Sequence, residues 1–110
     1  MTNVNTLIRN EDTWEHTGIQ SHVISQIWQL AFRHGLRKVI LFGSRGRGDY
    51  RRESDIDLAV SGGNVDLFRL DLEEETDTLL QYDVVDQDHH LQQGLRGAIT
   101  KEGIVLYEKT

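Results

Sequence analysis

At 110 residues, with 37% hydrophobic and 27% charged residues, the chain has the composition of one globular domain with a modest core, which excludes a disordered chain. A formal net charge of −6 argues against extended nucleic-acid binding through a basic surface, and the lack of cysteine excludes disulfides and thiolate metal sites. No apolar run is long enough to span a bilayer and no basic-then-apolar signal segment opens the chain, so a cytoplasmic protein with no membrane contact is expected.

Residues 1–16 are polar without a sustained period and read as a flexible leader, in which Trp14 stands out; residues 17–110 read as the domain. Thr17-Gly18-Ile19-Gln20 has the Thr-x-x-Gln form of a capping box, and Ile19, Val23, Ile24, Ile27, Trp28, Leu30 and Ala31 follow at helical spacing until Gly35. Lys38 to Phe42 (KVILF) reads as a buried strand, Gly43 to Arg52 as a glycine- and arginine-rich loop, and Ile56 to Val60 as a second strand. A helix is predicted from Asn64, its N-cap, to about Gln81, with Val65, Phe68, Leu72 and Leu79 on one face. Tyr82 to Asp86 is a third strand, Asp88 caps a last helix carrying Leu91, Leu95, Ala98 and Ile99, and Gly103 stops it. Ile104 to Tyr107 is a fourth strand or an extended tail. The order predicts an α/β fold, a small sheet of three to four strands with helices packed on it, and one sheet face partly bare if the helices cover only the other.

The charged residues are unevenly spread. Arg45, Arg47, Arg51 and Arg52 lie close together, which suits a small anionic ligand, whereas Asp71, Glu73, Glu74, Glu75 and Asp77 read as a solvated face. Gly43-Ser44 directly follows a strand; glycine admits a phosphate close to the backbone, and the serine hydroxyl and exposed N–H groups can donate to it. A short helical turn over Ser44 to Asp49 would aim its N-terminus at the same place. Arg45 and Arg47 flank Gly46 in this loop, and guanidinium forks match phosphate geometry. In Ser54-Asp55-Ile56-Asp57-Leu58 the two aspartates project from the same strand face while Ile56 and Leu58 point to the core. Side-by-side carboxylates repel unless a cation lies between them, and hard oxygen ligands suit Mg²⁺. Asp83 and Asp86 on the third strand have opposite parity, so only one of them can join the pair, and parity does not say which. The adjacent His89 and His90 cannot both face one ion, and His16, His22 and His34 read as surface or helix-end residues.

Gly43-Ser44-Arg45-Gly46-Arg47-Gly48 followed by Ser54-Asp55-Ile56-Asp57-Leu58 resembles the GS…G…[ST]DxD signature of the DNA polymerase β-type nucleotidyltransferases, above all the minimal nucleotidyltransferases (MNT). The likeness runs from about Leu36 to the closing Lys101-Glu102-Gly103-Ile104-Val105-Leu106-Tyr107. It implies a polymerase β-like fold with a mixed sheet, with Asp83, in Asp83-Val84-Val85, rather than Asp86 as the third carboxylate. By the same resemblance Asp55, Asp57 and Asp83 would hold two Mg²⁺ ions, Asp83 would help deprotonate the acceptor, Gly43 and Ser44 would contact the phosphates of ATP or another nucleoside triphosphate, and Arg45 and Arg47 would neutralise that triphosphate.

Substrate cavities usually form between domains, so a chain of this size is expected to meet its acceptor on a partner's surface. MNT proteins typically pair with a helical HEPN-domain toxin and transfer AMP to a hydroxyl on it, which implies an AMP-transferring antitoxin. A HEPN antitoxin acting by binding alone and a small-molecule (aminoglycoside-type) nucleotidyltransferase are the alternatives. Open sheet edges make a homo- or hetero-oligomer plausible.

Overall fold

The computed structural model describes residues 16–89 and 91–109. The expected leader, apart from His16, lies outside the described residues, as do Trp14 and His90. Along the chain run α1 (Ser21–Arg33), β1 (Lys38–Phe42), α2 (Gly43–Arg47), β2 (Ile56–Ser61), α3 (Val65–Glu75), β3 (Tyr82–Asp86), α4 (Gln93–Glu102) and β4 (Ile104–Glu108). The strands form one four-stranded sheet in the order β3-β2-β1-β4. β1 is antiparallel to both β2 and β4, whereas β2 and β3 are parallel. The parallel pair is joined by α3, the crossover that such a pair requires.

Alternation along the strands divides the core between the two sheet faces. Val39, Leu41, Ile56, Leu58, Val60, Val84 and Leu106 point to one side, against Ile24, Ile27 and Leu30 of α1 and Phe68 and Leu72 of α3. Phe42, Ala59, Ile40 and Val85 point to the other, where Ile99 and Leu95 of α4 meet them. Helices therefore lie on both faces. On the second face Asp83, beside Asp57 on β2, stays exposed. Phe68 is fully buried in the larger cluster, so Phe68→Ala should destabilise the domain by about 3–5 kcal/mol in a urea or guanidinium titration, with no effect on the geometry of the opposite face.

Three local expectations are corrected. The Thr17–Gln20 capping box does not form: Thr17 Oγ1 accepts from the Ile19 N–H at 3.2 Å, Gln20 is extended, and α1 starts at Ser21 without a side-chain cap. Asn64 does cap α3, accepting from the Leu67 N–H at 3.1 Å, but the helix ends at Glu75 instead of near Gln81. Beyond it, Thr and Asp side chains offer the backbone other partners. Thr76 Oγ1 donates to the Leu72 carbonyl at 2.6 Å, Thr78 Oγ1 accepts from the Leu80 N–H at 3.1 Å, and Gln26 of α1 grips both the N–H and the carboxylate of Asp77. Leu79, expected on the core face of α3, is fully exposed as a result. Asp88 does not cap α4. It accepts from the Gly62 N–H at 2.8 Å and pairs with Arg37 at 3.1 Å, tying the end of β3 to the turn after β2.

Gly35 does end α1, through paired bonds from Gly35 N–H to the Phe32 carbonyl and from Leu36 N–H to the Ala31 carbonyl. The neighbouring His34 sits at the helix end but is largely buried, its Nε2 at 2.7 Å from Asp71 Oδ2, and Arg33 meets Glu75 at 3.0 Å. These contacts join α1 to α3. Among the described residues no helix is long and apolar enough to cross a membrane.

Candidate active site

The site is built where β1 ends and β2 and β3 begin. Phe42, the last residue of β1, stands opposite Asp57 in the antiparallel ladder, and Gly43 follows it with φ +71°. Only glycine takes this conformation without strain, and here it has a second reason to be glycine: a Cβ at this position would overlap the Asp57 carboxylate. The backbone then winds into the single turn of α2, closed when the Gly48 and Asp49 N–H groups both bond to the Ser44 carbonyl, at 2.9 and 3.1 Å. The first N–H groups of that turn have no partner within the helix.

Asp57 and Asp83 are direct partners in the parallel β2–β3 ladder and therefore share a sheet face. Ile56 and Leu58, on either side of Asp57, are fully buried on the opposite face. Asp55 is exposed, one residue before β2 begins. Burial, then the charges of Asp83 and Asp55, push the Asp57 carboxyl up to about 6, against a smaller opposing pull from Arg47. Asp86 has no part in this group: its Oδ1 accepts from the Asp88 N–H at 2.9 Å and its Oδ2 lies 3.3 Å from His89 Nδ1, so it closes the turn after β3.

Among the described residues, no three His, Asp or Glu side chains converge closely enough to hold a metal ion by themselves. The donor set still fits a hard divalent cation that takes the rest of its shell from water and substrate phosphates, as Mg²⁺ does. Two in-register carboxylates with a third at the strand's entry carry repulsion that Arg47 offsets only in part and that such an ion would offset further.

The arginines divide. Arg47 is exposed, paired with Asp49 at 3.1 Å and Glu102 of α4 at 3.2 Å, and it lies within the field of Asp57. Arg45, expected to face a triphosphate alongside it, is instead 1% exposed, with its guanidinium directed into the protein. It donates to the carbonyls of Ser54 (3.0 Å), Thr17 (3.0 Å), Arg52 (3.1 Å) and Arg51 (3.4 Å) and lies over the Tyr50 ring at 4.8 Å. The sequence offered no sign of this, because a buried arginine and a solvated one look alike in a charged loop. Glu102 was missed for the same reason; it reaches the loop only because α4 packs beside α2.

A four-stranded mixed sheet in this order with helices packed on it is a polymerase β-like nucleotidyltransferase fold. The chain belongs to the family "Polymerase beta, Nucleotidyltransferase", which it matches over residues 25–110. It is similar to a solved candidate minimal nucleotidyltransferase, with 31% identity and a TM-score of 0.58 over 74% of this chain and 86% of that one. It is also similar to a chain in a crystal structure of a toxin–antitoxin with AMP-PNP, with 25% identity and a TM-score of 0.61 over 79% of this chain and 74% of that one. A Methanocaldococcus jannaschii protein named as a candidate protein adenylyltransferase is 49% identical over 55 residues, which are 49% of this chain and 52% of that protein. The chain thus spans about half the length of that curated relative.

Proposed function

We propose that this chain transfers AMP from ATP to a hydroxyl on a partner protein, a HEPN-domain toxin that it thereby silences. The observation that carries the chemistry is the in-register pairing of Asp57 with Asp83 directly beside Gly43. The name of the M. jannaschii relative supports AMP transfer to protein, and the toxin–antitoxin structure with AMP-PNP supports both the nucleotide and the setting.

In this reading Gly43 lets the triphosphate approach the backbone, and the Ser44 hydroxyl and the free N–H groups of α2 hold its β- and γ-phosphates. Asp55, Asp57 and Asp83 would hold two Mg²⁺ ions, which when bound supply charge neutralisation at the α-phosphoryl oxygens and acidify the acceptor hydroxyl. Asp83, the exposed member of the pair, receives the hydroxyl proton as the acceptor oxygen bonds to the α-phosphorus. The bond from that phosphorus to the bridging oxygen breaks, and pyrophosphate leaves. Arg47 lies close enough to Asp57 to act on its charge, and in this reading its exposed guanidinium helps neutralise the triphosphate.

Incubating the chain with α-labelled ATP, Mg²⁺ and a HEPN protein encoded beside it tests the proposal. Label should appear on the partner and vanish with Asp55→Ala/Asp57→Ala. Asp83→Ala should reduce transfer roughly 10²–10³-fold, the scale for losing one group that stabilises the transition state, while Asp86→Ala keeps most of it. Silencing of the partner that survives Asp55→Ala/Asp57→Ala would show that binding alone suffices, and loss in Asp86→Ala but not Asp83→Ala would reassign the third carboxylate.

A further inference from the structure

We infer that Arg45 is a positioning residue: its guanidinium clamps the segment 51–54 and so holds Asp55 in register with the Gly43-Ser44 turn. The metal role of Asp55 rests on the function proposed above; the clamp itself rests on the contacts.

Between the end of α2 and the start of β2 lie residues 48–55, which form no helix or strand. Such a stretch would leave Asp55 free to wander relative to Asp57, which is fixed by the ladder. Arg45 prevents this. It sits one residue after Ser44, turns inward, and bonds to three carbonyls of the segment, those of Arg51, Arg52 and Ser54. The Ser54 carbonyl belongs to the peptide bond that joins Ser54 to Asp55, so the Nε bond at 3.0 Å holds the plane from which Asp55 starts. The segment is closed further by Arg51 N–H to Ser54 Oγ at 2.8 Å and Ser54 N–H to the Arg51 carbonyl at 3.0 Å. Nη1 reaches across to the Thr17 carbonyl, fixing the stem of the clamp to the start of the domain, and the Tyr50 ring supports the guanidinium from one side.

The residue type follows from this geometry. Several acceptors in different directions call for a rigid planar fork, and a lysine ammonium on a flexible stem cannot meet them all. Burial of the guanidinium disfavours its charged form, while Tyr50 and Asp55 oppose that effect. A group placed to bind a triphosphate would instead stand in the open, as Arg47 does.

Arg45→Lys and Tyr50→Leu, which loosens the support but keeps every carbonyl bond, separate the possibilities. Hydrogen exchange should quicken about tenfold at amides 51–55 in Arg45→Lys, and less in Tyr50→Leu, with amides of β1 and β2 unchanged. In the transfer assay kcat should fall roughly 10–100-fold with little change in the KM for ATP, the mark of a misplaced group as opposed to a lost ligand. A raised KM with unchanged kcat would make Arg45 a nucleotide ligand and overturn the inference. Faster exchange spread evenly over the domain would reduce it to a core residue and do the same. If the wild type transfers no nucleotide, the proposed function fails but the exchange pattern still decides the clamp. Should Arg45→Lys not fold, Tyr50→Leu gives the same readouts on a smaller scale.

Discussion

Asp57→Asn should abolish transfer and at the same time make the metal-free protein more stable. The loss of activity follows from the proposed metal role of Asp57, whose carboxyl feels the charges of both Asp83 and Asp55: an amide keeps the shape but cannot neutralise a cation, and a fall of roughly 10²–10³-fold or more is expected on the scale of a lost transition-state group. The gain in stability follows from the direction of its titration. In the folded chain the carboxyl titrates at about 6, whereas an unfolded aspartate titrates near about 3.9. Between those values the folded state holds more protons than the unfolded one, so stability falls as pH rises through that window, and the full penalty remains above it. Asparagine removes the charge and with it the penalty. The melting temperature measured without divalent metal should decline from about pH 4 to about pH 6 in the wild type and decline less in Asp57→Asn, leaving the variant ahead at pH 7. Equal slopes in the two proteins would mean that Asp57 ionises freely and that the crowding of the three carboxylates has been overstated.

Gly43→Ala is expected to damage both the fold and the site. Alanine at φ +71° costs about 1–2 kcal/mol on its own, since the Cβ crowds the carbonyl that follows it. The added methyl also overlaps the Asp57 carboxylate, so either the turn or the carboxylate must shift. A displacement of this size at a reacting centre costs roughly 100-fold in rate. Transfer should therefore fall about as far as when a catalytic group is removed, although Gly43 contributes no side chain to the chemistry. Circular dichroism should still show the domain folded at 25 °C, with a lowered midpoint in denaturant. An alanine variant with near-normal turnover would show that the glycine turn and Asp57 are not sterically linked.

Much of this architecture is visible in the residues before any coordinates. The strand of KVILF is bounded as expected, and Ile56, Asp57 and Leu58 alternate between the two sheet faces as a strand imposes, whereas Asp55, expected on the same strand, lies just before it. The Asn64 cap is a local bond between a side chain and the backbone three residues on, so it too could be read from the sequence. The capping box at Thr17 was lost to a local bond from the Ile19 N–H, but the other two misses involved distant residues. The predicted extension of α3 to Gln81 failed where Gln26, far away in sequence, grips Asp77 beside the local bonds of Thr76 and Thr78, and the proposed Asp88 cap failed because Gly62 and Arg37 claim that carboxylate.

The sequence by itself determined the glycine turn at Gly43-Ser44 and the inward-facing Ile56 and Leu58 on either side of Asp57, because both rest on bonds and dihedrals within a few residues. Tertiary structure alone decided the rest. The parallel ladder sets Asp83 opposite Asp57 and leaves Asp86 to the turn, a choice that strand parity had narrowed to two. The approach of β2 to the end of β1 brings Asp57 against Gly43, so that the glycine makes room for the carboxylate as well as for the turn into α2. Packing also turned Arg45 inward and left Arg47 at the surface, two residues that are chemically equivalent in the sequence. Each of these outcomes depends on which strands lie side by side, and that is settled by burial and hydrogen bonding across the whole domain.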